Sequence, residues 1–254
     1  MGEAAVVVGP AFLVVLAVLA AVAALASRLG GLGVGWASTR ASGRAAVQLA
    51  VVSLLVTAVL RSPWATACFV TLMLVVAVVT AARRVSTLRR GWWVAGPIAA
   101  GVLPAGAVMV AGGTVPATTV AVLPVAGILI GGAMTATSLA GRRALDELRD
   151  RHGEYEAALA LGFPPREVAL EICRPTAARA LVPALDQTRT VGLVTLPGAF
   201  VGVMLGGGSA LQAGATQLLV LVVLLAVEVV AVALVVEFVA TGLLRDREVH
   251  RSAT

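Results

Sequence analysis

Lysine is absent from this 254-residue chain, and charged residues of all kinds make up only 13% of it, against 59% hydrophobic ones. A soluble domain of this length needs a polar shell that such a composition does not supply, which excludes a water-soluble globular protein. The missing lysine removes a second class, because a Walker-type phosphate loop needs that side chain on the phosphates. A membrane-embedded hydrolase finds no support either: HExxH, GxSxG and CxxC are all missing, and the two histidines, His152 and His250, fall in polar segments where a lone histidine is solvated. The two cysteines, Cys68 in an apolar run and Cys173 in a charged segment, lie too far apart in expected depth to form a structural disulfide. Every basic residue is an arginine and the net charge is +6. In so apolar a chain that excess is read as membrane topology, with no nucleic-acid partner.

What is present is a series of apolar runs, each long enough to cross a hydrocarbon core of about 30 Å. The ten-residue alternation of a transmembrane barrel is missing, so the expected fold is an all-α polytopic membrane protein. Seven spans are expected, near 5–26, 45–60, 64–82, 92–111, 118–140, 188–206 and 217–243, forming one transmembrane domain over 1–254. With the N-terminus outside and the C-terminus in the cytoplasm, every arginine except Arg61 falls in an inner segment. The first run has "ALAS" at 24–27, small residues of the kind a signal peptidase accepts. Glu3 and the lack of positive charge before it favour a retained span.

Half of all charged residues lie between Arg142 and Arg189, so the inner loop at about 141–187 concentrates the polar surface. A loop this long is usually functional. "RRALDELRDRHGEYEAALALG" has helical periodicity and ends on Gly162, a residue suited to helix termination. Phe163-Pro164-Pro165 then forces a turn, and Pro165 suits the first position of a second helix, in which Val168 and Ile172 share a face. A helix-turn-helix hairpin lying on the cytoplasmic membrane surface is expected.

The spacing of Glu156, Ala157, Ala158, Gly162, Ile172 and Pro175 resembles the EAA loop of ABC transporter permeases, with Arg174 where that pattern has leucine. In that family the loop is a coupling helix resting in a groove of the ATP-hydrolysing subunit. Small alanines permit close approach, Glu156 offers a charge to a partner arginine, and Gly162 permits a sharp exit. With the flanks "RAAVQL", "LPVAGILIGGAMTATSLAGRR" and "VGLVTLPGAFVGVMLGG" included, the chain from Arg44 to about Ala240 is similar to the FetB-type permeases, bacterial iron-export subunits related to plant aluminium-tolerance membrane proteins.

That resemblance implies a homodimeric permease in the bacterial inner membrane. It implies pairing with a separate FetA-like ATPase that holds the ATP and Mg, with no cofactor on this chain, and a metal cation moved outward. Departures from the family pattern are Gly132 and Thr135 in place of asparagines, Val203 in place of a glutamine, and Ala215-Thr216-Gln217 in place of an Arg-Tyr-Gln triplet.

Within the spans, Glu228 falls near the middle of the last one, where an ionised carboxylate costs about 3 kcal/mol or more unless it is paired or hydrated. It reads as a cation or proton site, or as a carboxyl hydrogen-bonded to a neighbouring helix. Glu237, nine residues on, points the opposite way and is expected to snorkel to the inner headgroups. Pro197 and Gly198 break the ladder of the sixth span, which is tolerated at depth only beside protein or a cavity. Together with Gln48, Thr195, Gln217 and Glu228 they form the candidate translocation path. No ligand spacing specifies a metal. The alternative to an ABC permease is a gradient-driven transporter or channel built on Glu228, although no repeated half-structure is visible. An import permease also carries an EAA loop, and dependence on an external binding protein would separate it from an exporter.

Overall fold

A computed structural model describes residues 9–86, 88–116 and 118–244. The expectations resting on Glu3, Arg245, Arg247, His250 and Arg251 lie outside the described residues. Among those described there is no named β-strand, and six helices are long and apolar enough to cross a membrane. The chain divides into two compact units, up to Ala65 and from Thr66 onward.

The first unit is a helical hairpin of α1 (Pro10–Leu29) and α2 (Gly35–Leu60). Pro10 opens α1, where its missing N–H has no intrahelical role to fill. The turn between the helices is tied by the Val34 N–H, which donates to Ser27 Oγ at 3.1 Å. No residue of α2 is buried, so its apolar surface is available to lipid or to another chain. Hydropathy placed the second span at 45–60, yet the helix starts ten residues earlier and runs through Arg40 and Arg44. An α-helix satisfies its own backbone whatever its side chains do, and long arginine stems can carry their charge to the interface.

The second unit is built around α11 (Ala210–Ala240), which packs against α5 (Ala95–Ala111) and α6 (Thr119–Asp150). The helix α3 (Pro63–Val85) closes onto α6, and α4 (Leu88–Gly91) with a 3₁₀ turn at Trp92–Val94 leads into α5. Close contacts fix the helix directions. A Cβ at Gly127 would lie 3.1 Å from Met73, and one at Gly141 would lie 2.9 Å from Val85 and 3.3 Å from Val235, so α3, α6 and α11 run the same way. Gly96 faces Phe238 and Gly101 faces the Val227 carbonyl, so α5 runs opposite to α11. This alternation is the one the expected topology requires of these helices. The arginine-bearing ends of α3 and α6 consequently gather with the C-terminal end of α11 at one end of the unit, where Arg90 Nη1 donates to the Gly242 carbonyl at 3.3 Å.

The expected span at 188–206 is not one helix. It consists of α9 (Val182–Thr190), an irregular turn closed by Gly192 N–H to the Thr195 carbonyl at 2.9 Å, and α10 (Gly198–Leu205). Eight residues rise only about 12 Å, too little to cross a bilayer core. Pro197 supplies no N–H to continue a helix, and Gly192 takes a left-handed φ of 80°. The chain returns towards the N-terminal end of α11 by this discontinuous path. A capping box on Ser209 and Gln212 then starts α11, with Gln212 N–H donating to Ser209 Oγ at 3.2 Å.

Candidate functional site

The charged loop forms two short helices, α7 (His152–Ala160) and α8 (Pro165–Ala178). Its first helix is shorter than the periodicity predicts, because residues up to Asp150 prolong α6 and the chain turns at Arg151. Arg151 ends α6, precedes α7 and forks onto Glu154, with Nε to Oε1 at 3.0 Å and Nη2 paired to Oε2. The hydrogen bond from that guanidinium holds the Glu154 carboxyl below its usual range. Gly162, at φ 89°, makes the exit from α7, a conformation that disfavours any residue with a Cβ. Pro165 takes the first position of α8, as its fixed φ allows.

The apolar face of α8 is covered by protein rather than laid on headgroups: Val168, Ala169, Leu170, Ile172, Cys173 and Ala177 are buried, against α6 and α11. Three polar contacts fasten it. Cys173 Sγ donates to the Ala144 carbonyl at 3.3 Å, Thr176 Oγ1 to Glu147 at 2.8 Å, and Arg166 forks onto Glu237, its Nη2 reaching Oε2 at 2.9 Å. Glu237 therefore has a protein partner at its end of α11. It meets a guanidinium on the hairpin.

The six coupling-loop residues divide accordingly. Glu156 and Ala157 are exposed on α7, Ala158 is half-buried, Gly162 is exposed at the turn, Pro175 is exposed within α8, and Ile172 is buried at the seam with α6. His152 is not merely solvated, since its Nε2 lies 3.1 Å from Glu156 Oε1 and its ring stacks on Tyr155. Beside Glu156 the tip presents Leu161, 79% exposed, and Phe163, 56% exposed. These two were missed in the sequence. The signal was an aromatic next to a double proline, an apolar group at a turn that has no core to enter.

Within the helical bundle, Glu228 is half-buried on α11 and makes no hydrogen bond to any described residue. A Cβ at Gly132 of α6 would lie 2.8 Å from its Oε1 and 2.3 Å from Leu224 Cδ1, so the absence of a side chain at Gly132 makes room for the carboxylate between α6 and α11. Thr137, fully buried on α6, has a hydroxyl without a hydrogen-bond partner among the described residues. Gln217, 4% exposed, lies eleven residues before Glu228, on nearly the same face of α11. Its Oε1 accepts from the Phe200 N–H at 3.3 Å, serving the first turn of α10 where Pro197 offers no capping side chain. Pro197, Gly198 and Gln217 are thus brought together at the α10–α11 junction. Thr195 is exposed in the turn before α10, and Gln48 is exposed on α2 in the first unit. No group of three or more His, Cys, Asp or Glu side chains comes together as a metal site among the described residues.

Residues 10–244 match the signature of UPF0014, an uncharacterised protein family. The chain belongs to this family. Among UPF0014 relatives, it is 36% identical to the membrane protein STAR2 of rice over 63% of its own length and 56% of that protein's. It is 37% identical to the ALUMINUM SENSITIVE 3 protein of Arabidopsis thaliana over 59% and 55%. Against the probable iron export permease FetB of Escherichia coli the identity is 32%, over 47% and 46%. The chain spans just over half the length of the two plant relatives it matches. No solved structure matches it. This UPF0014 chain is therefore an all-helical, multi-pass membrane protein.

Proposed function

We propose that this protein is the membrane permease subunit of an ABC transporter, acting as a homodimer and exporting a metal cation, iron or similar. Its energy comes from ATP and Mg held by a separate FetA-like ATPase. The observation that carries this reading is the α7–α8 hairpin. Its tip exposes Glu156, Ala157, Leu161 and Phe163 to solvent, while its base is bedded on the two helices that enclose Glu228. A hairpin that only solvated a loop would keep Leu161 and Phe163 inside; a docking element leaves them for a partner's groove. The similarity to FetB supports the substrate class, and the absence of lysine leaves nucleotide hydrolysis to another chain.

In this reading the arginine-rich end faces the cytoplasm, as the distribution of positive charge favours. Glu228 offers a carboxylate oxygen to a hard cation in the bundle, with Thr195, Pro197, Gly198 and Gln217 along the path within the second unit. The test is co-purification in detergent with the ABC ATPase encoded in the same genome. The wild-type chain retains the ATPase in stoichiometric amount and Glu156→Arg loses it. Retention by neither form would leave a gradient-driven transporter built on Glu228 as the better account.

A further inference from the structure

Two helices that enclose Glu228 are also the two that hold α8. On α6 the fastening points are Ala144 and Glu147, which receive Cys173 and Thr176 from the C-terminal half of α8. On α11 the polar fastening is Glu237, which receives Arg166 from the first turn of α8, three residues from the exposed Phe163. The helix α8 thus spans α6 and α11 at one end of the bundle, tied by its far end to the first and by its tip-proximal end to the second.

Arg166 and Glu237 are both partly exposed, with side-chain accessibilities of 54% and 30%. A pair so placed adds little to stability, because solvent screens it. What a forked arginine–carboxylate pair does supply is a fixed relative orientation, which a lysine or a single hydrogen bond would not. From Glu237 to Glu228 the helix is uninterrupted and holds neither proline nor glycine, so displacement at one is transmitted to the other over about 14 Å. At the receiving end the clearance is small, since Leu224 and Glu228 occupy the space a Cβ at Gly132 would need. A slide of α11 along α6 alters what surrounds the Glu228 carboxylate.

From this geometry we propose that Arg166 and Glu237 are positioning residues, a rigid link by which movement of the hairpin tip shifts α11 along α6 and changes access to Glu228. The proposal rests on the permease reading, and it adds the route by which a docked ATPase reaches the candidate cation site. Arg90, donating to the Gly242 carbonyl, holds the adjoining end of α11 from the α4 side.

The experiment uses the full chain with its ATPase and no transported ion. With Cys68→Ser removing the exposed native thiol, Leu224→Cys reports the α6–α11 seam through its rate of reaction with a maleimide, with and without ATP and vanadate. Nucleotide is expected to change that rate several-fold with Arg166 and Glu237 intact. Arg166→Ala and Glu237→Gln are expected to abolish the change while the ATPase still co-purifies, and the exchange Arg166→Glu with Glu237→Arg to restore it. A nucleotide response that survives in both single variants, or is absent from the parent although the ATPase is bound, would overturn the link and leave the permease reading standing. Failure of the ATPase to bind the parent would instead remove that reading and the link with it.

Discussion

At the scale of single residues, the contact between Glu228 and Gly132 carries the most consequence. Adding one methyl group at Gly132 places it 2.3 Å from Leu224 Cδ1 and 2.8 Å from Glu228 Oε1, and at least one of them must move. The leucine terminus can rotate away, so Gly132→Ala is expected to cost about 1–3 kcal/mol, the usual range for overpacking. Thermal unfolding in detergent measures that loss, and metal transport should fall with it. Glu228→Gln removes the charge and keeps the volume; transport should drop at least tenfold while ATPase co-purification is unchanged. Normal transport by that variant would make Glu228 a packing residue. The position of Glu228 in the last span was readable from its isolation among valines and leucines. Its neighbour was not, because nothing along the chain tells which glycine of the fifth span faces it.

At the scale of elements, the α7–α8 hairpin was the most legible part. Gly162, the double proline and the Val168–Ile172 spacing specified a turn and a second helix, and both are present where expected. The prolongation of α6 to Asp150 and the burial of α8 against protein were not legible, since a helical period is the same whether its apolar face meets lipid or protein. For the same reason the sequence does not reveal that Glu237 has an arginine partner, 71 residues away. The left-handed Gly162 gives the hairpin its sharpest test. Gly162→Ala forces a Cβ into that conformation at about 1–2 kcal/mol, and ATPase binding should weaken about tenfold with little loss of membrane abundance. Unaltered binding by both Gly162→Ala and a Leu161→Ser, Phe163→Ser double variant would place the docking surface elsewhere.

At the scale of the whole molecule, composition alone set the class, and the arginine pattern agrees with the helix directions in the second unit. Six continuous helices match six of the seven expected crossings, and the seventh, at 188–206, is a broken segment whose helices are each too short to cross. The broken one is where Pro197 and Gly198 fall, so the break was visible before the path of the chain was. The proposed orientation predicts that a cysteine introduced at Phe163, in a background without Cys68, reacts with a membrane-impermeant maleimide only when the cytoplasmic face is exposed. Labelling from outside intact cells would invert the topology.

In the proposed function, ATP hydrolysed by a partner drives a cation through this chain. The most direct test of this is ATP-dependent uptake of ferrous or another divalent metal into inside-out vesicles that contain the chain and its ATPase. Uptake is expected to require ATP, to persist in the presence of a protonophore, and to be lost with Glu156→Arg. Uptake that needs no ATP and collapses with the protonophore, or no ATP-dependent uptake of any metal tested, would contradict it.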